Sequence, residues 1–540
     1  MASAGAQPWW QRAVIYQIYP RSFADADGDG VGDLRGITQR LSHLAWLGVD
    51  AVWLSPIYRS PMADFGYDIS DHTAVDPLFG TLADFDAVAA RARALGLRVL
   101  LDYVPNHTSI RHPWFAQARA SRASARRHWY LWHDGAPGGG PPNNWRSVFG
   151  GPAWTLDPGG GQYYYHAYLA AQPDLNWRHP PVREAMLDVL RFWLDRGVDG
   201  FRVDALRQLL KDPAWRENPP NPRFAGMPPY DALLPVHSTD LDEVHQPIAA
   251  MRRVVNEHGS PARERLLIGE LCLPIERLVR YYGVDGAGLQ MPTNMHLIAI
   301  EWQPQAIAEL IERYEAALPW GAWPNWVLGN HDRSRVASRV GTAQARVAAM
   351  LLLTLRGTPT IYYGDELGMT DVPIAPERVR DPYERLSPGA AVGRDPARSP
   401  MPWEDGIHAG FCPPGAEPWL PLGAESDAVN VAAQRADPRS VLMLYRRLLE
   451  LRRRSGALTA GRYRLVRADS GVLAYARTDG GETVLVALNL TAAPRAVRWS
   501  GEAGVLLSTE LDRAGERVGR ELQLRPNEGV LLKELATTRT

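Results

Sequence analysis

Short runs of β-branched and aromatic residues alternate along most of the chain with longer segments whose apolar positions recur at helical spacing. VIYQIY at 14–19, AVWLS at 51–55 and RVLLD at 98–102 predict the first three strands, with helices expected at 37–47 and 82–95 between them. Further strands are expected at 200–203, 266–269, 288–292, 326–329 and 360–363, each followed by a helical pattern; the sixth carries the weakest pattern. Strands alternating with helices imply βαβ units and a parallel sheet. Their number points to an eight-stranded barrel, although the alternation alone also fits a doubly wound open sheet.

Two regions break the rhythm. Residues 105–174 are rich in Gly, Pro, Trp and Tyr and predict a small domain inserted after the third strand. From 456 to the end, YRLVRA, VLAYAR, TVLVALNL and GVLLKEL are short strands parted by turns, the pattern of an antiparallel β-sandwich. The barrel would therefore comprise 1–104 and 175–455, with 105–174 inserted and 456–540 forming a C-terminal β-domain. The long Pro-rich loops 212–240 and 364–437 follow strands, and loops of that length in a compact domain usually carry function.

With 540 residues the chain exceeds one hydrophobic core. Its net charge of −1 offers no electrostatic argument for nucleic acid or an anionic membrane as a partner. Cys272 and Cys412 are too few for a disulfide scaffold and are expected as thiols. The sequence shows no signal-peptide pattern and no apolar run of membrane-spanning length, so the cytoplasm is the expected compartment, with a monomer or homodimer as the expected assembly.

Acidic residues stand just past several predicted strands: Asp102, Asp204 after GFRV, Glu270 after LLIG, and Asp332 after VLGNH. In a barrel these positions converge on the C-terminal rim, where active sites lie. One such carboxylate is readily a helix cap or a solvated charge. Four gathered on one rim repel one another and call for a reason. Glycoside hydrolysis gives one: it needs a carboxylate at the anomeric carbon and a protonated carboxyl at the leaving oxygen.

GVDAVWLSP, DYVPNH, QPDLNW, GFRVDAL, IGEL, LGNHD and GTPTIYYGDELGM, in that order, make the chain resemble the α-amylase superfamily, and within it the α-glucosidase and oligo-1,6-glucosidase branch. The resemblance spans nearly the whole chain. It implies a (β/α)8 TIM barrel with an inserted domain and a C-terminal β-domain. It implies Asp204 as nucleophile, Glu270 as acid/base and Asp332 as the third carboxylate, with Arg202 beside the nucleophile, His107 and His331 on sugar hydroxyls, and Asp102 in support. In MADFGYDIS, Asp64 would hold outer hydroxyls and Tyr67 would stack on the sugar ring; Phe65 replaces the branch's usual Asn. Arg398, in GRDPARSPMPW, would pair with Asp64, and Pro402 replaces a usual Gln.

DADGDGVGD sets Asp25, Asp27, Asp29 and Asp33 at alternate positions with the Val31 carbonyl between, an arrangement similar to a calcium loop. The branch carries Ca²⁺ or Mg²⁺ there. Substrates are expected to be small, maltose-like α-glucosides, because Ala205 follows the nucleophile where α-1,6-preferring members carry Val. Oligo-1,6-glucosidase action, or glucosyl transfer or isomerisation of maltose, trehalose or sucrose through the same intermediate, is the alternative.

Overall fold

The computed structural model describes residues 7–260, 263–499 and 501–534. Eight parallel strands close into a barrel: β1 (Ile15–Ile18), β2 (Ala51–Leu54), β3 (Arg98–Tyr103), β4 (Gly200–Val203), β5 (Leu266–Leu271), β6 (Met291–Asn294), β7 (Asn325–Val327) and β8 (Thr358–Tyr362), with β8 pairing back onto β1. The open-sheet alternative is thereby excluded. Seven strands lie where the apolar pattern puts them. β6 starts three residues later than its expected position at 288–292 and overlaps it at Met291 and Pro292.

The period-two alternation of a strand decides what faces the lumen. Ile15, Ala51, Trp53, Leu100, Leu266, Ile268 and Met291 form one buried cluster inside the barrel. Their neighbours Tyr16, Ile18, Val52, Leu54, Val99, Leu101, Phe201, Val203 and Leu267 pack outward into the main core with the helices. Two residues beyond the inward positions, toward the C-terminal rim, the residues on the same face are Gln17, Asp102, Arg202 and Glu270. The apolar floor and the polar rim are thus two levels of the same set of strands.

Caps fix the helix starts. Asp33 caps α1 (Leu34–Leu47), accepting from the Gly36 N–H at 2.8 Å, and so begins the helix three residues earlier than its apolar period suggests. Thr81 and Asp84 form a reciprocal capping box at the start of α2 (Leu82–Ala94). Gly200 opens β4 where a Cβ would lie 2.2 Å from the Leu266 carbonyl oxygen, so adjacent strands meet there only without a side chain.

Between β3 and the long helix α3 (Pro180–Asp195) the chain builds a three-stranded sheet, Trp132–His133, Gln162–Tyr165 and Trp154–Asp157, over its own cluster of Trp145, Trp154 and Tyr165. The C-terminal region has a six-stranded antiparallel sheet and a two-stranded one, Arg495–Arg498 with Glu521–Leu524. Val472, Ala474, Leu485 and Leu532 face the smaller sheet, whereas Leu473, Tyr475, Val486 and Leu531 join the main core. Burial on both faces explains why VLVALNL reads as a continuous apolar run.

Candidate active site

Arg202 organises the rim. It is 3% exposed and held on the lumen side of β4. Its Nη1 donates to Asp102 Oδ1 and to Asp204 Oδ1, each at 2.7 Å, and its Nη2 lies 2.7 Å from Glu270 Oε2. Asp204 follows β4 directly, and its N–H donates to the Tyr103 carbonyl at 2.8 Å, which fixes its backbone to β3. The next residue, Ala205, has φ 48°, a left-handed turn that takes the chain away from the strand.

Three carboxylates around one guanidinium leave net negative charge. Burial raises Asp204 well above the usual carboxylate range; Arg202 opposes this, while Glu270 and Asp102 add to it. Asp102, wholly buried, is raised to about 6 by burial, again with Arg202 opposing. Arg202 therefore lies where the sequence places it, but its single charge is divided, and the cluster retains a proton into the mildly acidic range. The Glu270 side chain is the most open of the three, 21% exposed against 13% for Asp204 and 0% for Asp102.

Tyr67 donates its hydroxyl to Asp102 Oδ2 at 2.9 Å and lies 2.7 Å from His331 Nε2, its ring stacked on the imidazole at 5.4 Å and 1°. Gln17 Nε2 donates to His331 Nδ1 at 2.8 Å. That assigns the proton to Nε2 and makes a chain from His331 through Tyr67 to Asp102. Burial pushes His331 down to about 3 and His107 to about 4, so both are neutral donors or acceptors near pH 7. His107 Nε2 lies 3.2 Å from the Tyr67 carbonyl and 3.2 Å from Gln172 Nε2.

Asp332 accepts from Arg398 at 2.9 Å and Arg394 at 3.3 Å. Burial works against its ionisation, yet its carboxyl is held far below the usual range. Since His331 is itself neutral near pH 7, the charges that achieve this there are Arg394 and Arg398.

The expected Asp64–Arg398 pair is corrected. Arg394 Nη2 donates to Asp64 Oδ1 at 2.8 Å, whereas Arg398 donates through Nε to the His331 carbonyl at 2.7 Å and lies against the Tyr19 ring. Arg394 precedes and Arg398 ends the single turn Asp395–Arg398, so a four-residue offset moves the partner from one carboxylate to another. Asp381 grips Arg394 with both oxygens, and against the pull of burial Arg394 holds Asp381 below its ordinary pKa. Asp64 also accepts from Gln172 Nε2 at 3.2 Å. Phe149 lies under the Arg394 guanidinium at 4.9 Å and stacks on Tyr383.

Gln17, Gln172, Asp381 and Arg394 were not singled out from the sequence. Gln172 opens QPDLNW and Arg394 sits in GRDPAR, so for those two the motif was the available signal.

Away from this site, carboxylate oxygens of Asp25, Asp27 and Asp29 come within 4.8 Å of one another. Burial raises Asp29, with Asp27 and Asp25 adding to the effect. Asp33 lies beside this cluster, its charge also raising Asp29: Oδ1 caps α1 and Oδ2 accepts from the Ala26 N–H at 2.7 Å and the Asp27 N–H at 3.2 Å. The Val31 N–H donates to Asp29 Oδ1 at 2.8 Å.

Residues 17–461 match the family model "Alpha amylase, catalytic domain". A probable alpha-glucosidase of Rhizobium meliloti (strain 1021) is 43% identical over 497 residues, covering 89% of each chain. An oligo-1,6-glucosidase of Parageobacillus thermoglucosidasius is 34% identical, covering 97% of this chain and 99% of its own. The crystal structure of the alpha-glucosyl transfer enzyme XgtA superposes with a TM-score of 0.92 at 39% identity, covering 98% of this chain and all of that one.

Proposed function

The chain belongs to the alpha-amylase family, in its α-glucosidase branch, and is a glycoside hydrolase; on that footing we propose that it is an exo-acting, retaining α-glucosidase that removes terminal glucose from short α-1,4-linked substrates. The observation that carries the reading is Arg202 bound to Asp204 and Glu270 at once. Two carboxylates at the ends of one guanidinium suit the roughly 5–5.5 Å spacing of retaining enzymes, too close to admit a water between them.

In this mechanism Asp204 attacks the anomeric carbon while Glu270 protonates the leaving oxygen, giving a covalent glucosyl-enzyme. Glu270 then takes a proton from water, which displaces Asp204 and releases α-glucose. The reacting state has the proton of the carboxylate cluster on Glu270, the member that solvent can reload between turnovers. Asp332, held ionised by Arg394 and Arg398, accepts hydroxyl hydrogen bonds that strengthen as the ring flattens. His107 and His331 supply neutral contacts, and the face of Tyr67 away from His331 receives the sugar.

Asp64, Gln172, Arg394 and Phe149 would wall off the pocket beyond the terminal glucose. Arg394→Gln should therefore weaken substrate binding and leave Asp64 and Asp381 buried without their partner. The expected loss in kcat/KM on maltose is about 2–4 kcal/mol, roughly 30- to 1000-fold, carried mainly by KM. A variant with unchanged KM would remove Arg394 from the pocket.

Maltose should be cleaved in preference to isomaltose, with α-glucose appearing first by NMR and amylose consumed only from its ends. Ala205→Val should shift the ratio of kcat/KM values toward isomaltose. Ala205 has a left-handed backbone, which a β-branched residue adopts under strain, so the ratio and not the absolute rate is the measure. The shift should stay within about 1–3 kcal/mol. Initial release of β-glucose, or rapid loss of amylose chain length, would overturn the assignment. Transfer to a sugar or alcohol acceptor is a second activity of the same intermediate. The transfer enzyme of closely similar structure favours it, and adding a competing acceptor to the maltose assay tests it.

The hard oxygen donors of Asp25, Asp27 and Asp29 fit Ca²⁺ or Mg²⁺, and a divalent ion would relieve their mutual repulsion. The ion would serve the fold, joining the loop before α1 without entering catalysis. Exhaustive chelation should lower the melting temperature while leaving kcat at 25 °C nearly unchanged. Saturation at a hundredfold excess over Kd stabilises by about 2.7 kcal/mol. An unchanged melting curve would refute the metal. Cys272 and Cys412 are both free thiols, which fits a reducing compartment such as the cytoplasm; among the described residues no helix is long and apolar enough to cross a membrane.

A further inference from the structure

On the face of the barrel opposite the catalytic rim, where the strands begin, lies a cavity of about 350 Å³. Its wall includes Trp9, Arg12, Asp50, Arg98, Arg452 and Arg453. Four guanidiniums meet one carboxylate, for Asp50 is the single acidic residue in this wall among the described residues. Asp50 is also largely committed: Oδ2 accepts from the Val14 N–H at 2.8 Å and Oδ1 from Arg453 at 3.2 Å. Arg12 is exposed and forms no ion pair among the described residues. Arg98 lies over the Trp9 ring at 4.3 Å, with Asp199 only at 3.9 Å.

Arg452 is the decisive member. It is 1% exposed, and its hydrogen bonds go to neutral carbonyls: Leu353 and Leu458 at 2.9 Å, Leu355 at 3.3 Å and Gly357 at 2.5 Å. Its Nε has no partner. Burial lowers its pKa to about 10, so it keeps its charge at neutral pH with no carboxylate bonded to it. Arg477 is buried nearby under the same conditions, its guanidinium on the Gly461 and Thr354 carbonyls, and the two repel. Asp50 offsets the Arg452 charge only in part and without a hydrogen bond to it, and a second anion beside buried cations of this kind repays more of their cost.

We propose that this arginine-lined cavity binds a phosphate-bearing small molecule, with the phosphate among Arg12, Arg98 and Arg453 in the field of buried Arg452. Arginine forks match phosphate oxygens in charge and geometry. At about 30 Å³ per water the volume exceeds what a bare phosphate fills, leaving room for a monosaccharide-sized remainder beside Trp9. The site lies across the barrel from Asp204 and Glu270, so occupancy stabilises the fold and leaves the catalytic pocket free.

The test compares the full-length protein with an Arg12→Ser/Arg453→Ser double variant, both exposed positions, in a phosphate-free buffer at low salt. Inorganic phosphate and glucose 6-phosphate are titrated by calorimetry and by thermal melting, with sodium chloride of equal ionic strength as the control. The proposal expects one site per chain, a melting temperature raised beyond the chloride control, and affinity at least about tenfold weaker in the double variant. Maltose turnover without phosphate should be the same in both proteins. Binding at the catalytic pocket persists in the variant and subtracts out. Tighter binding of the sugar phosphate identifies an ester as the ligand, and equal binding identifies free phosphate; each supports the site. Arg98→Gln provides an independent second variant with the same expected loss. Melting temperatures that follow ionic strength alone, or equal binding by wild type and variants, would overturn it.

Discussion

Asp204→Asn is expected to reduce maltose hydrolysis by about 10⁴–10⁶-fold, the range lost when a covalent nucleophile is removed from a constellation that acts as a unit. The side chain keeps its size and its carbonyl can still accept from Arg202, so folding and glucose binding should survive. What disappears is the electron pair that attacks the anomeric carbon. KM should change little while kcat collapses, and no covalent glucosyl-enzyme should be trapped by mass spectrometry when a slow substrate is mixed with the variant. Activity within tenfold of wild type, on a preparation free of wild-type carry-over, would sink the nucleophile assignment.

Much of this arrangement was legible in the sequence because it is periodic. Strand side chains alternate, so Asp102, Arg202 and Glu270 share a face with the apolar residues two positions earlier, and a closed barrel brings that face together. The C-terminal strands and the inserted domain were legible because the alternation stops at 105 and changes character at 456. β6 was placed too early because MPTN carries a proline and polar residues, leaving the overlapping GLQMP run at 288–292 to attract the assignment.

The parts that were not legible depend on loops. Asp64 and Arg394 are 330 positions apart, and nothing in GRDPAR says which of its arginines turns toward Asp64. That choice is made by Asp381, which sits in the long loop after β8, caps a short helix and clamps Arg394. Asp33 illustrates a second limit: that it caps a helix as well as standing in the acidic loop follows only from the bonds its oxygens accept from the Gly36 and Ala26 N–H groups. The division of one guanidinium among three carboxylates is a third. Motifs identify the residues, but the proton they share follows only from the distances.

Glu270→Gln is expected to show its effect selectively. On maltose the leaving group is a sugar alkoxide that must be protonated as the bond breaks, so the loss should be about 10²–10⁴-fold, the usual worth of general acid–base assistance. On an aryl glucoside whose phenolate leaves without a proton, the first displacement should be nearly spared. The glucosyl-enzyme should then accumulate, because water still lacks its base, and a burst of phenolate should precede a slow steady state. An anion such as azide, which attacks without deprotonation, should restore turnover and yield α-glucosyl azide. Equal losses on maltose and on the aryl glucoside, with no rescue by azide, would assign the proton to another group and leave Glu270 as a structural partner of Arg202.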